Sequence, residues 1–187
     1  MPNNIYFVLT ARFVILVLGQ VLIFNKLNFF GFINPFIYIM WLYWYPVKQN
    51  RPILLLTSFL LGFTIDLFSD TLALHAAALT TAAYFRPAIM RFVFGVSYEF
   101  QNFRLGNATR AQQMTFLALL ILLHHGVYFT LEVFSLTNVL LIFKKVMSIG
   151  IATLILSTLL ASLFSTENNE EISLIIDYHH CWDCLFG

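Results

Sequence analysis

Several residues have types and spacings that could do chemistry. Asp66 lies in LLGFTIDLFSD (60–70), four residues after Gly62, in a stretch that otherwise reads as a lipid-facing helix. Ser69 follows it at i+3, Asp70 closes the stretch, and His75 comes nine residues after Asp66. His124, Tyr128 and Glu132 recur at i, i+4 and i+8, so they share one helical face. Lys144 and Lys145 stand together early in the last apolar run, and HHCWDC (179–184) groups His179, His180, Cys181 and Cys184. Carboxylates and histidines at membrane depth can relay protons, and they can equally pair with cations to lock helices together. A third outcome is a polar cluster that also receives the membrane helix of a partner. The terminal donors are of the soft-metal type. A lone Cys-x-x-Cys lacks the second half of a zinc module, so no metal and no cofactor is assigned.

The elements that must hold these residues follow from composition. The chain has 187 residues, is 60% hydrophobic and only 10% charged, against about 25% charged in soluble domains. Its 21 phenylalanines exceed what a soluble core of this size could hide. An integral membrane protein is implied, and nothing suggests a nucleic-acid surface. The first apolar run is too long for a signal-peptide core and lacks a small-x-small cleavage site, so it is expected to stay as a helix.

Runs near the length of about 20 residues that crosses the hydrocarbon recur at roughly 5–24, 29–46, 52–69, 72–90, 115–135 and 138–164. Six transmembrane helices and an acidic tail (166–187) are therefore expected. NKLN (25–28), PVKQNRP (46–52), SDT (69–71) and SLTN (135–138) break the runs, and residues 99–113 form the long polar connection. Pro52 suits a first helical turn. With the N-terminus inside, Lys48, Arg51, Arg86, Arg91, Arg104 and Arg110 fall on the inner side, and Lys26, Lys144 and Lys145 on the outer. That asymmetry predicts cytoplasmic termini.

Asp66 then lies 14 residues beyond Pro52, about 21 Å along the helix. His75, His124, Tyr128, Glu132, Lys144 and Lys145 come to similar depth, so a paired polar cluster is expected in the outer half. Asp66 is expected to accept hydrogen bonds from Ser69, from backbone N–H groups of residues 71–74, or from His75. Gly62, with Ala78 and Ala82, predicts a close contact between the third and fourth helices. Arg86 and Arg91 are placed at the inner interface, facing headgroup phosphates or an acidic partner segment, and Arg12 is expected to snorkel there. His124 and His125, about 100° apart on a helix, are not expected to face one centre. No Ser–His–Asp set, phosphate loop or His-Glu-x-x-His motif is present, and no enzyme is expected.

LLGFTIDLFSDTLALHAAAL (60–79) resembles the signature of the MreD family of rod shape-determining membrane proteins, with Gly62, Asp66, Ser69, Leu74, His75 and Ala78 matching. YFRPAIMRFVFG (84–95), LLHHGVYFTLEVF (122–134) and KKVMSIGIATLIL (144–156) are similar to MreD segments as well. The family's glycine before the fourth helix is Ala73 here, and the tail also departs from the family. The resemblance implies a six-helix fold similar to the substrate-binding subunits of energy-coupling-factor transporters. It implies no catalysis, a place in the bacterial inner membrane, and work with MreC, RodA and a class B penicillin-binding protein in the elongasome. The alternative is a small-molecule-binding subunit of an energy-coupling-factor transporter, which shares size and helix count. A proton-coupled channel using Asp66, His124 and Glu132 is a third possibility.

Overall fold

Apolar side chains at helical spacing cover the outside of the protein, and the same spacing selects what lies inside. The computed structural model describes residues 3–26, 34–47, 50–99, 103, 105–133 and 140–162. All regular elements among them are helical. α1 (Asn3–Leu18) widens into a π-helical turn, Gly19–Phe24. A 3-10 turn, Ile37–Ile39, leads into α2 (Met40–Trp44). α3 (Arg51–Ser69), α4 (Leu74–Phe94) and α5 (Arg110–Val133) follow, and α6 is Leu140–Ser162.

On α3, Leu56, Leu60, Phe63 and Leu67 point outward, while Leu54, Ser58, Leu61, Gly62, Ile65 and Asp66 are buried. On α6, Phe143, Met147, Ile151, Ile155 and Leu159 form the outer face, with Val146, Ile149, Thr153 and Ser157 inside. Such outer stripes would be an aggregation surface in water; in lipid they need no cover. Phe7–Phe24, Arg51–Ser69, Arg110–Val133 and Leu140–Ser162 are long and apolar enough to cross a membrane. α4 has the length, 21 residues, but its alanines, threonines and two arginines make it less apolar.

The expected second span is the main correction. Instead of a helix over 29–46, the described part of that run is irregular at residues 34–36 and has only eight helical residues, Ile37–Trp44. That is about 12 Å of helix, far short of the hydrocarbon thickness. Asn34-Pro35 precedes it, and a proline removes a backbone donor and resists a helix interior. The segment lies in the middle of the molecule: Tyr38, Ile39, Met40 and Leu42 are fully buried. Irregular backbone at membrane depth is tolerated where protein surrounds it.

Helix limits also move. α5 begins at Arg110 rather than near 115 because Thr109 and Gln112 form a reciprocal cap. The Gln112 N–H donates to Thr109 Oγ1 at 3.3 Å and the Thr109 N–H donates to Gln112 Oε1 at 3.2 Å, the Thr-x-x-Gln capping box. α4 runs on to Phe94, where Gly95 at φ 58° ends it. Pro52 sits in the first turn of α3, as expected. Residues 29–33 of the expected second helix, the 135–138 linker, and the tail with its His and Cys residues lie outside the described residues.

α3 and α4 meet as closely as glycine permits. A Cβ on Gly62 would lie 2.5 Å from the Ala76 Cα. The small-residue expectation therefore holds, with Ala76 as the direct contact and Ala78 and Ala82 buried beside it. The turn between the helices uses two left-handed residues, Asp70 at φ 53° and Ala73 at φ 57°. Ala73 thus adopts the conformation in which glycine is free of Cβ strain. The left-handed region costs a Cβ-bearing residue roughly 1–2 kcal/mol, partly offset by the greater unfolded-state freedom of glycine. Because Ala73 is exposed, Ala73→Gly is expected to stabilise the protein by about 0.5–1 kcal/mol. Unfolding midpoints in detergent would show it, and a lower midpoint for the glycine variant would contradict the strain argument.

Candidate functional site

Asp66 is a helix cap supplied by the neighbouring helix. α4 begins with unpaired backbone donors, and its N-cap residue, Ala73, has no side chain to accept them. Asp66 does so from the end of α3. Its Oδ1 accepts from the His75 N–H at 3.0 Å and from the Thr71 hydroxyl, and its Oδ2 accepts from the Ala76 N–H at 2.9 Å. A carboxylate is favoured there by the positive end of the helix dipole. Of the expected donors His75 does bind Asp66, through its backbone N–H, and Ala76 joins it in place of the N–H groups of residues 71–74. Ser69, expected to bind Asp66, instead accepts from Asn25 Nδ2 at 2.7 Å.

The His75 ring turns the other way. Tyr38 Oη lies 2.7 Å from His75 Nδ1 and 2.8 Å from His124 Nε2. The single hydroxyl proton can serve only one of them, so at least one histidine donates. His124 Nδ1 is buried and has no partner among the described residues. A buried unpaired donor is rarer than an under-used acceptor, which places the His124 proton on Nε2, toward the tyrosine oxygen. Tyr38 then donates to His75 Nδ1, leaving the His75 proton on Nε2.

His124 and His125 do converge, contrary to expectation. Their ring centroids are 5.3 Å apart and both rings pack on Phe36, at 5.8 and 5.1 Å. Residues 100° apart can both face inward where the opposing element is a plug held between helices. His125 pairs through Nδ1 with the Ile121 carbonyl at 2.9 Å and through Nε2 with Thr153 Oγ1 at 3.3 Å. Among the described residues no three His, Cys, Asp or Glu side chains converge as a metal set.

Arg86, placed at the inner interface by its position in the fourth helix, takes a different role. Arg86 is only 3% exposed. Its Nε donates to the Leu42 carbonyl at 2.7 Å and its Nη2 to the Tyr45 carbonyl at 2.6 Å, so it caps the C-terminus of α2 instead of meeting headgroups. Arg12 donates to the Trp44 carbonyl at 3.3 Å and lies over the Trp44 ring. Arg91 is exposed on the last turn of α4. At the other end of the plug, Gln20 accepts from the Ile37 N–H at 2.9 Å and donates to the Pro35 carbonyl at 3.2 Å, and Thr153 accepts from the Phe36 N–H at 3.1 Å.

The expected outer cluster is thus divided. His75 and His124 meet through Tyr38, and the Tyr128 ring packs beside them, tilted at 4.7 Å from His75 and stacked at 6.4 Å from His124. Glu132 pairs with Lys145 at 2.8 Å on a half-exposed rim, and Lys144 is exposed. Asp66, His124 and Glu132 each bond elsewhere, and no hydrogen bond joins one of these three to another among the described residues. Sequence reasoning missed Gln20, Phe36, Tyr38, Thr71 and Thr153. Asn34-Pro35 was the available signal that the second run breaks; nothing local marked the others.

The fold and this site define a helical protein that, among the described residues, has four helices long and apolar enough to span a membrane, built around a short buried segment. No family model, curated protein or solved structure matches the chain.

Proposed function

We propose that the protein is a non-enzymatic scaffold of the bacterial cell-elongation machinery, of the MreD type, in the inner membrane with both termini cytoplasmic. In this reading it binds MreC and helps control RodA and its class B penicillin-binding protein. One observation carries the reading on the structural side. Asp66 and Arg86, the buried carboxylate and guanidinium among the described residues, both cap helices of their own chain. Groups engaged in this way hold a shape, which a scaffold needs, and are not set out as a chain of proton carriers. The resemblance of residues 60–79 to the MreD signature supplies the identity of the partners.

Affinity purification of the full chain from its native membrane tests the proposal. A co-eluting bitopic protein with a long periplasmic coiled coil is the expected result. A bound vitamin with no such protein would instead favour an uptake subunit. Labelling of Cys181 by an impermeant thiol reagent in intact cells would overturn the orientation.

A further inference from the structure

A cavity of about 850 Å³ opens at the end of the bundle where α3 turns into α4. It is lined by the ends of α1, α3, α5 and α6, and it reaches His75, the outer member of the chain that runs through Tyr38 to His124. Small-molecule sites typically enclose about 300–1,000 Å³ and combine apolar walls with a few aimed polar groups, and this cavity has both. Phe36, Phe68, Phe129, Leu22 and Ile149 supply apolar wall. Tyr128 is 7% exposed and His75 3%, yet the Tyr128 hydroxyl and His75 Nε2, both on lining residues, make no hydrogen bond to the described residues. The hydrogen-bond chain through Tyr38 puts the His75 proton on that free nitrogen. The rim carries Lys26, Lys144 and Lys145 against Asp70 and Glu132, three positive charges to two negative, an excess of one. Lys145 is occupied by Glu132, whereas Lys26 and Lys144 are exposed and have no acidic partner among the described residues.

We propose that this cavity binds an amphiphilic anion: phosphate or carboxylate oxygens held by Lys26 and Lys144, with an apolar body against Phe36 and Phe129. The His75 Nε2–H and the Tyr128 hydroxyl hydrogen-bond the part that reaches the floor. Those oxygens can belong to a lipid headgroup or to a free small molecule. The inference goes beyond the scaffold proposal and does not depend on it, because it concerns the cavity and not the partner.

Thermal unfolding of the full chain in lipid nanodiscs separates the two sources. One arm adds inorganic pyrophosphate to phosphatidylcholine discs, and the other compares phosphatidylglycerol-containing discs with phosphatidylcholine alone. A rise in Tm in the first arm that is already measurable with pyrophosphate at about 1 mM identifies a free anion. A rise confined to the second identifies a headgroup. In either case the Lys26→Ala/Lys144→Ala pair should weaken the effect at least about tenfold. These lysines are exposed, so the variant should fold. Tyr128→Phe, which removes only the hydroxyl, should weaken it to a smaller degree. No rise in either arm, or a rise that the lysine pair leaves unchanged, would overturn the proposal.

Discussion

Arg86→Ala is expected to be among the most damaging single substitutions in the protein. The side chain bridges two carbonyls at the end of α2, Leu42 at 2.7 Å and Tyr45 at 2.6 Å. Both acceptors would be left in a site from which water is excluded. Hydrogen bonds from a charged donor are worth about 1.5–3 kcal/mol each, so the loss is expected to be roughly 3–6 kcal/mol. The guanidinium also lies 5.9 Å from the Tyr45 and Phe116 ring centroids, and alanine removes that packing too. Arg86→Lys keeps the charge but not the planar fork that reaches two carbonyls at once, so it should fall between the other two. Chemical unfolding in detergent gives the order. If Arg86→Ala unfolds like the parent, Arg86 is not what holds α2, and the original interface assignment returns.

Asp66→Ala is expected to come close to it. Three donors converge on the carboxylate. Thr71 is half-buried and its hydroxyl can turn to water, but the His75 and Ala76 N–H groups cannot. Each unpaired buried donor costs about 1–3 kcal/mol, giving roughly 2–6 kcal/mol. Asp66→Asn is predicted to be milder, though not neutral. Its single carbonyl oxygen can replace Oδ1 or Oδ2, and in either case its NH₂ group faces another N–H donor. The expected stability order is Asp66, then Asn, then Ala. A proton carrier would behave otherwise, since Asn and Ala would abolish activity alike while leaving stability normal.

The spans were legible where an apolar run and its breakers agree. Pro52 and the SDT turn fix α3, and the outward stripe of Leu56, Leu60, Phe63 and Leu67 is a pattern that sequence carries openly. The run over 29–46 was not legible in the same way. Its apolar content suits a lipid-facing helix and a buried plug equally well, and length alone favoured the former. Pro35 spoke for a break, as Thr109 and Gln112 spoke for an earlier start to α5.

The candidate site was legible in part for a related reason. Asp66 stands out because a carboxylate in an apolar helix needs donors, and the nearest unpaired ones are at the next helix start. Which donors it takes depends on the left-handed turn at Asp70 and Ala73, which brings Thr71 back to it and carries Ser69 toward Asn25. Arg86 looked like an interfacial arginine because the fourth helix was expected to leave the membrane there, whereas α4 runs on to Phe94. Once the second run becomes a plug, its end leaves carbonyls at Leu42 and Tyr45, and Arg86 reaches both. Tyr38, Gln20 and Thr153 owe their roles to contacts between segments far apart in the chain, and no local pattern announces those.

The central claim is that Asp66 caps α4 from outside that helix, and amide hydrogen exchange at His75 and Ala76 tests it most directly. Measured residue by residue for the protein in nanodiscs, both amides should be protected in the parent, less protected in Asp66→Asn and fully exchanging in Asp66→Ala, while Ala82 in mid-helix stays protected throughout. Equal protection at His75 and Ala76 in the parent and in Asp66→Ala would contradict the account.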